Sequence, residues 1–146
     1  MLAGSAARAL AGATVAPRDL DIEIAVIDAD RVAVALGCVL TVDSGNGWSS
    51  LRGRCAVEGV EVDVSADVAV RGPEWGLESD DAFARVWSRS VAVSGYAITL
   101  APPEEQLVRA LIAGDWARIA KVSGGGGPPP RPAYVFRRLA AARAVR

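Results

Sequence analysis

Two stretches of the chain alternate between apolar and acidic residues. The acids are Asp19, Asp21 and Glu23 in the first stretch and Glu61, Asp63 and Asp67 in the second. Alternation with a period of two is typical of a β-strand that has one apolar face and one polar face. Neither acidic face contains a basic residue. We therefore expect two strands that each present a row of carboxylates.

A surface of this kind favours a bound cation, because like charges that face one another on neighbouring strands are destabilising. The chain contains no histidine, and carboxylate ligands without histidine or thiolate select hard cations. The pattern therefore indicates a Mg²⁺ or Mn²⁺ site. Two such ions about 4 Å apart can activate an attacking oxygen and stabilise a leaving oxygen. The competing interpretation is the ordinary solvent-facing side of a half-buried sheet.

A Gly-Ser pair, Gly4 and Ser5, stands at the start of a short helix that we predict over 5–10. Glycine has no side chain, so the backbone at this position can approach a phosphate closely. A helix N-terminus also offers free N–H groups and a dipole that favours an anion. The pair therefore indicates a phosphate-binding position, while a serine that simply caps the helix is the alternative.

The composition indicates one folded domain. The chain has 146 residues, of which 51% are hydrophobic and 23% are charged, and its net charge is -1. A nearly neutral chain has no overall field that favours nucleic acid or membrane, and no apolar run is long enough to span a bilayer. We therefore expect a cytoplasmic protein. The two cysteines, Cys38 and Cys55, are expected to be buried, reduced thiols.

The predicted elements that must position the acids form a mixed α/β pattern. Strands are predicted over 20–27, 38–42, 48–57 and 60–68, with a hairpin over 91–100 that turns at Ser94 and Gly95. Helices are predicted over 5–10, 29–36 after Asp28, 80–88 after Ser79, 103–113, 115–122 and 133–145. This pattern divides the chain into a domain over 1–122, a glycine- and proline-rich linker over 123–132 and a basic helix over 133–146.

The last segment carries only basic charge. Its arginines are Arg131, Arg137, Arg138, Arg143 and Arg146, and no acid follows Asp115. Such a cluster indicates either a surface that binds RNA, DNA or phosphate or a solvated helix face.

Three short segments, taken in order, resemble a known family. They are Ala3-Gly4-Ser5, Asp19-Leu20-Asp21-Ile22 and Val62-Asp63-Val64. A glycine-serine pair, an acid-x-acid strand and a third acid on a later strand make the chain similar to the polymerase-beta-type nucleotidyltransferase superfamily. Its small bacterial and archaeal members, including toxin-like ones, are the nearest in pattern. Arg8 and the helix over 103–111 add to the resemblance, which covers about residues 2–121.

This resemblance implies an α/β (α+β) fold, with a nucleotidyltransferase-like mixed sheet flanked by helices and with helices at the C-terminal end. It also implies roles for single residues. The implied metal ligands and catalytic residues are Asp19, Asp21 and Asp63. Gly4 and Ser5, with Arg18 as a weaker match, would bind the triphosphate of a nucleoside triphosphate such as ATP. Asp63 would also help to activate an acceptor hydroxyl.

The implied reaction is transfer of a nucleoside monophosphate from the triphosphate to that hydroxyl, with Mg²⁺ or Mn²⁺ and with release of pyrophosphate. The acceptor is open and would be a protein, an RNA end or a small molecule. The alternative is a catalytically silent protein of the same fold that acts as a binding partner, for example in a toxin–antitoxin-type pair. In either case a partner protein or a homo-oligomer is possible, and no membrane is involved.

Overall fold

The helices and strands follow one another in a mixed order, in a computed structural model that describes residues 1–124 and 126–145. The helices are α1 (Gly4–Leu10), α2 (Ala29–Leu36), α3 (Asp81–Trp87), α4 (Pro103–Ala113), α5 (Trp116–Ser123) and α6 (Pro132–Ala140). The strands are β1 (Leu20–Ile24), β2 (Thr41–Gly45), β3 (Trp48–Val57), β4 (Val60–Arg71), β5 (Trp75–Glu78), β6 (Arg89–Val93), β7 (Tyr96–Leu100) and β8 (Arg143–Ala144). A short 3₁₀ helix, Val26–Asp28, leads from β1 into α2.

Strand β4 is the centre of a six-stranded mixed sheet. The sheet order is β2-β3-β4-β5-β8, and β1 also pairs with β4. β3 pairs with one edge of β4. Along the other edge, β1 pairs with residues 62–66 of β4, and β5 pairs with residues 69–71. β1 runs parallel to β4, and the remaining neighbours are antiparallel. The separate β6–β7 hairpin turns at Ser94 and Gly95 as predicted, and the predicted α+β class with a mixed sheet is confirmed.

The length of β4 follows from its apolar alternation. Every second residue along it is buried: Val62, Val64, Ala66, Val68 and Val70. The ladder to β3 shifts register between Ser49 and Leu51, and the extra residue on β4, Asp67, has a φ of 51°. A bulge of this kind re-aims the side chain at the irregular position. Asp67 is exposed, so the predicted row of acids on this strand ends before it.

The main apolar cluster lies between the sheet and the helices that follow it in sequence. Its buried members are Val70, Leu77, Val108, Ile112 and Tyr134. They come from β4, β5, α4 and α6. Helix α6 therefore contributes to the same core as the strands, through a tyrosine that has no exposed surface.

Several element boundaries differ from the prediction. The strand predicted over 38–42 lies at Thr41–Gly45, because the Cys38 N–H still closes α2 by donating to the Ala33 carbonyl at 2.9 Å. The strand predicted over 20–27 ends at Ile24, and the one predicted over 60–68 continues to Arg71. Asp80, rather than Ser79, caps α3. β5 was not predicted, because its four residues are too few to show a period.

The C-terminal segment also differs from the prediction. The helix expected over 133–145 ends at Ala140, and a two-residue strand follows it. Arg138 is buried, and Arg131 pairs with Glu104 with its Nε 2.7 Å from Oε1. These two arginines therefore hold α6 against α4 and do not form a free basic surface. Arg146 lies outside the described residues.

No helix within the described ranges combines the length and the apolar character needed to cross a membrane.

Candidate functional site

The predicted acids of β1 and β4 meet at one open cleft of about 330 Å³. The acids that line it are Asp19, Asp21, Glu23 and Asp63. The start of α1, one face of β3 and parts of α4 and α5 complete its walls. A larger cavity of about 540 Å³ lies between β4, β5 and β8 and is lined by none of the predicted metal- or triphosphate-binding residues. The chemistry that the sequence predicts therefore concentrates in the smaller cleft.

Asp21 and Asp63 are direct neighbours in the sheet. The parallel register of β1 and β4 pairs these two residues, and Asp19 immediately precedes β1. Burial raises the pKa of Asp21 above its usual value, and the nearby charges of Asp19 and Asp63 raise it further. The cleft therefore holds a carboxylate whose ionised form is disfavoured, which is a common property of functional sites.

Gly4 lies directly against the Asp21 carboxylate. A Cβ atom at this position would lie 1.7 Å from Asp21 Oδ2, and the backbone has a φ of 61°. The Ser5 N–H faces the Asp21 side chain and opposes the rise in its pKa, while the Ala3 N–H donates to the Asp21 carbonyl at 2.7 Å. Helix α1 begins at Gly4, so Ser5 is not its capping residue. Glycine is required here by the approach of α1 to β1.

Asp63 already has a cationic partner. It is 6% exposed, and it accepts from Arg52 Nε at 2.8 Å on one oxygen and from Arg52 NH2 on the other. Arg54 Nε donates to it at 3.3 Å. The hydrogen bonds from Arg52 hold the pKa of Asp63 below its usual range. Arg54 Nε also approaches Glu61 Oε1, at 4.0 Å.

Glu23, the third acid of the β1 row, is held by an arginine from α4. Arg109 donates from NH1 and NH2 to the two Glu23 oxygens at 2.7 and 3.1 Å. Arg109 is itself buried and also bonds to Glu105, one turn earlier on α4. Sequence reasoning missed Arg109. The four-residue spacing from Glu105 was the available signal, but it does not show that Glu23 lies opposite.

Three more cations line the cleft: Arg8, Arg118 and Lys121. Arg8 is 8% exposed, and its guanidinium donates to the Val122 carbonyl at 3.1 Å. Within residues 1–124 and 126–145, it forms no ion pair with a carboxylate. The Arg118 guanidinium lies 4.6 Å from the centre of the Trp48 ring. Lys121 and Arg118 were not singled out from the sequence, because nothing local distinguishes them from solvated charges.

Arg18 is the predicted site residue that is not brought to the cleft. It is exposed and does not contribute to the cleft surface. Glu61 and Asp67, which the alternation placed in the same acidic row as Asp63, also lie outside it. The predicted residues that do meet there are Gly4, Ser5, Asp19, Asp21 and Asp63.

The donor set of the cleft suits a hard cation, because it offers carboxylate oxygens and neither histidine nor thiolate. In the part of the chain that is described, no three acidic or cysteine side chains are already gathered around one point as a metal cage. Arg52 donates hydrogen bonds to both oxygens of Asp63. A cation at Asp63 therefore has to share that carboxylate with Arg52 or take its place.

No protein-family model matches the sequence, and none of the curated proteins compared with it is significantly similar. The structure is similar to a crystal structure of a putative nucleotidyltransferase from Thermotoga maritima, with a TM-score of 0.65 and 19% sequence identity. The match covers 85% of this chain and 77% of that one. At this identity the likeness establishes the fold, which is nucleotidyltransferase-like.

Proposed function

We propose that this protein is a Mg²⁺-dependent nucleotidyltransferase that moves a nucleoside monophosphate from a nucleoside triphosphate, such as ATP, to an acceptor hydroxyl. The sheet register carries the proposal, because it sets Asp21 of β1 beside Asp63 of β4. Both residues line one cleft with Gly4 and Ser5. The nucleotidyltransferase-like fold supports the same activity, and a nucleoside triphosphate substrate agrees with the expected cytoplasmic location.

Asp19, Asp21 and Asp63 would hold the divalent cation, Mg²⁺ or Mn²⁺. When bound, the cation would offset the charge of the triphosphate and stabilise the leaving pyrophosphate. The raised pKa of Asp21 supports this role, because its causes include repulsion from the other two carboxylates. Such repulsion favours a positive ligand among them.

The triphosphate would lie between the acids and the cations of the same cleft. Arg8 is the strongest attraction for it, since a buried guanidinium without a carboxylate partner is costly until an anion approaches. Arg118 and Lys121 add positive charge at the same wall. Gly4 and Ser5 would contribute the start of α1, as the resemblance to the family implies.

The acceptor hydroxyl would belong to a protein, an RNA end or a small molecule. Asp63 would accept its proton. With Arg52 bound to both of its oxygens, Asp63 is a weak base, because the hydrogen bonds lower its pKa. Activation of the acceptor therefore depends on loosening of the Arg52 pair when the substrates bind.

The test is a thermal-shift titration of the wild type and of Asp21→Asn with Mg²⁺ or Mn²⁺ and each nucleoside triphosphate. A ligand that binds only the folded state raises the melting temperature, and the rise grows with the logarithm of its concentration. We expect a metal-dependent rise for the wild type and none for Asp21→Asn. A matching assay measures pyrophosphate release with candidate acceptors.

Asp67→Asn is the matched control. Asp67 lies on β4 as Asp63 does, but it is exposed and outside the cleft, and asparagine tolerates its positive φ. This variant should bind the metal–nucleotide pair as the wild type does. Equal binding by Asp21→Asn and the wild type would sink the assignment of the site.

The second candidate is a catalytically silent protein of the same fold that binds a partner, as in a toxin–antitoxin-type pair. Two observations favour it. Arg52 already neutralises Asp63, and four apolar residues from the 3₁₀ helix to β2 are 75% to 90% exposed: Ile27, Val34, Val39 and Val42. This candidate predicts no melting shift with any metal–nucleotide pair and no pyrophosphate release, together with a partner that copurifies.

A further inference from the structure

The two cysteines lie in neighbouring segments, with Cys38 just before β2 and Cys55 on β3. That ladder pairs Thr41 with Arg52 and keeps a constant register to the end of β2. Extending the same register backwards by three residues sets Cys38 opposite Cys55. The intervening residues follow β3 closely, because a Cβ atom on Gly53 would meet the Val39 carbonyl at 2.6 Å and the Leu40 side chain at 2.7 Å.

The surroundings of the pair suit thiol chemistry. Both cysteines are free and half-buried, so the predicted burial of these thiols was wrong, and a small reagent can reach them. The Cys55 thiol is oriented toward the Val62 carbonyl, 3.9 Å away. Burial raises the pKa of the Cys55 thiol, and the neighbouring Cys38 thiol raises it further.

Directly opposite residues of an antiparallel pair have Cβ atoms about 4.5–5.5 Å apart. A disulfide needs about 3.5–4.5 Å between its Cβ atoms. A shift of about 1 Å in the segment before β2 would bring the two Cβ atoms to the distance that a disulfide needs. The Cys38 N–H holds the start of that segment to the end of α2 by donating to the Ala33 carbonyl.

We propose that Cys38 and Cys55 form a reversible disulfide that fastens the connection between α2 and β2 to strand β3. The oxidant is a low-molecular-weight disulfide such as oxidised glutathione. One cysteine thiolate attacks it, forming a mixed disulfide and releasing one small thiol. The second thiolate then attacks the cysteine sulfur of the mixed disulfide and releases the other small thiol. The protein loses two electrons and two protons, and the reagent takes up both as two thiols.

The bond would close the segment that contains β2 and most of β3. Arg52 and Arg54, which contact Asp63, lie inside this closed segment. A cross-link of this type stabilises a protein mainly by restricting its unfolded chain. Oxidation should therefore raise the melting temperature, and dithiothreitol should reverse the rise.

The experiment incubates the reduced full-length protein with oxidised glutathione at about pH 8, then denatures it and adds iodoacetamide. We expect intact mass spectrometry to show the loss of two hydrogen atoms, with neither glutathione nor iodoacetamide attached. Peptide mapping should find Cys38 joined to Cys55. The reaction should be faster at higher pH, because the raised pKa of Cys55 limits its thiolate.

Cys38→Ser and Cys55→Ser are the matched variants. Each should accept one glutathione and show no reversible rise in melting temperature. Two alkylated cysteines in the wild type, or two attached glutathiones, would overturn the proposal. Asp21→Asn should form the bond as the wild type does, so this result is independent of the proposed nucleotidyltransferase activity.

Discussion

At the scale of single residues, Asp21 combines burial with two like-charged neighbours. Its pKa in the folded protein is raised above the usual value, so the folded state binds this proton more tightly than the unfolded state does. As the pH rises from the unfolded pKa through the raised folded pKa, ionisation of Asp21 therefore lowers the free energy of unfolding, and the protein stays destabilised at neutral pH. Below the unfolded pKa of about 4 the cost disappears.

Asp21→Asn should consequently stabilise the ligand-free protein at pH 7 by about 0.2–1 kcal/mol, the general size of cross-strand side-chain pair energies. The difference from the wild type should vanish near pH 3, where Asp21 is protonated in both states. Urea unfolding at both pH values measures it. A variant that is less stable than the wild type at pH 7 contradicts this account of the cleft.

Gly4 is a second residue for which the neighbouring side chains decide how much a substitution destabilises the protein. A side chain there meets two penalties, a positive φ of 61° and the Asp21 carboxylate. Gly37 has nearly the same φ, 65°, with nothing within 4 Å of a Cβ atom. Gly37→Ala should cost about 1–2 kcal/mol for the left-handed backbone, while Gly4→Ala should cost a further 1–3 kcal/mol, roughly the cost of overpacking. Chemical denaturation of both variants measures the free energy of unfolding. Equal losses of stability would mean that the Asp21 side chain moves away from position 4 at no cost.

At the scale of elements, α4 connects the cleft to α6 through buried ion pairs. Arg109 contacts both Glu23 and Glu105. Glu105 in turn accepts from Arg138 Nε at 3.0 Å and from the Tyr134 hydroxyl at 2.5 Å. Burial alone would raise the pKa of Glu105, but the charges of Arg109 and Arg138 keep it below its usual value. Glu105 is therefore the anion that holds two buried arginines.

Glu105→Ala should destabilise the protein by about 3–5 kcal/mol, because it removes the carboxylate that pairs with the buried Arg138 and one of the two carboxylates that pair with the buried Arg109. Glu74→Ala is the control, since Glu74 is exposed in the turn before β5 and should change stability by less than about 0.5 kcal/mol. The free energy of unfolding in urea gives both values. Similar losses in the two variants would show that the arginines find other partners.

At the scale of the whole molecule, α6 completes the core. Tyr134 is fully buried, and its ring centre lies 5.1 Å from that of Phe83 and 5.6 Å from that of Trp87. Arg131 and Arg138 add ion pairs to α4. The basic segment is thus attached to the domain by an apolar anchor as well as by charge.

A chain that ends at Pro130 should therefore lose cooperative thermal unfolding, because the core cluster loses its largest buried side chain. A chain that ends at Ala142 should keep it, since only β8 is removed. Thermal unfolding followed by tryptophan fluorescence distinguishes the two. Cooperative unfolding of the shorter chain would instead support a separable C-terminal helix.

Much of this arrangement could be predicted from local patterns. The alternation in β1 and β4 identified both strands, and the acids of the cleft were found because they occupy the polar positions of that period. The proline start and glycine end of α4 set its bounds. β5 and the change of direction at Asp67 were missed, because a four-residue strand and a bulge leave no periodic signal.

The sequence by itself determined that β1, β3 and β4 are strands, which side of β1 and β4 is apolar, and that Asp21 and Asp63 lie on the polar sides. These properties depend on neighbours a few positions apart, where periodicity and capping act. Only the tertiary structure decided that β1 lies parallel to β4 with Asp21 beside Asp63, that Arg52 and Arg109 neutralise acids from other elements, and that α6 enters the core. Strand pairing and long-range ion pairs depend on which surfaces are buried together, and no local pattern specifies that choice.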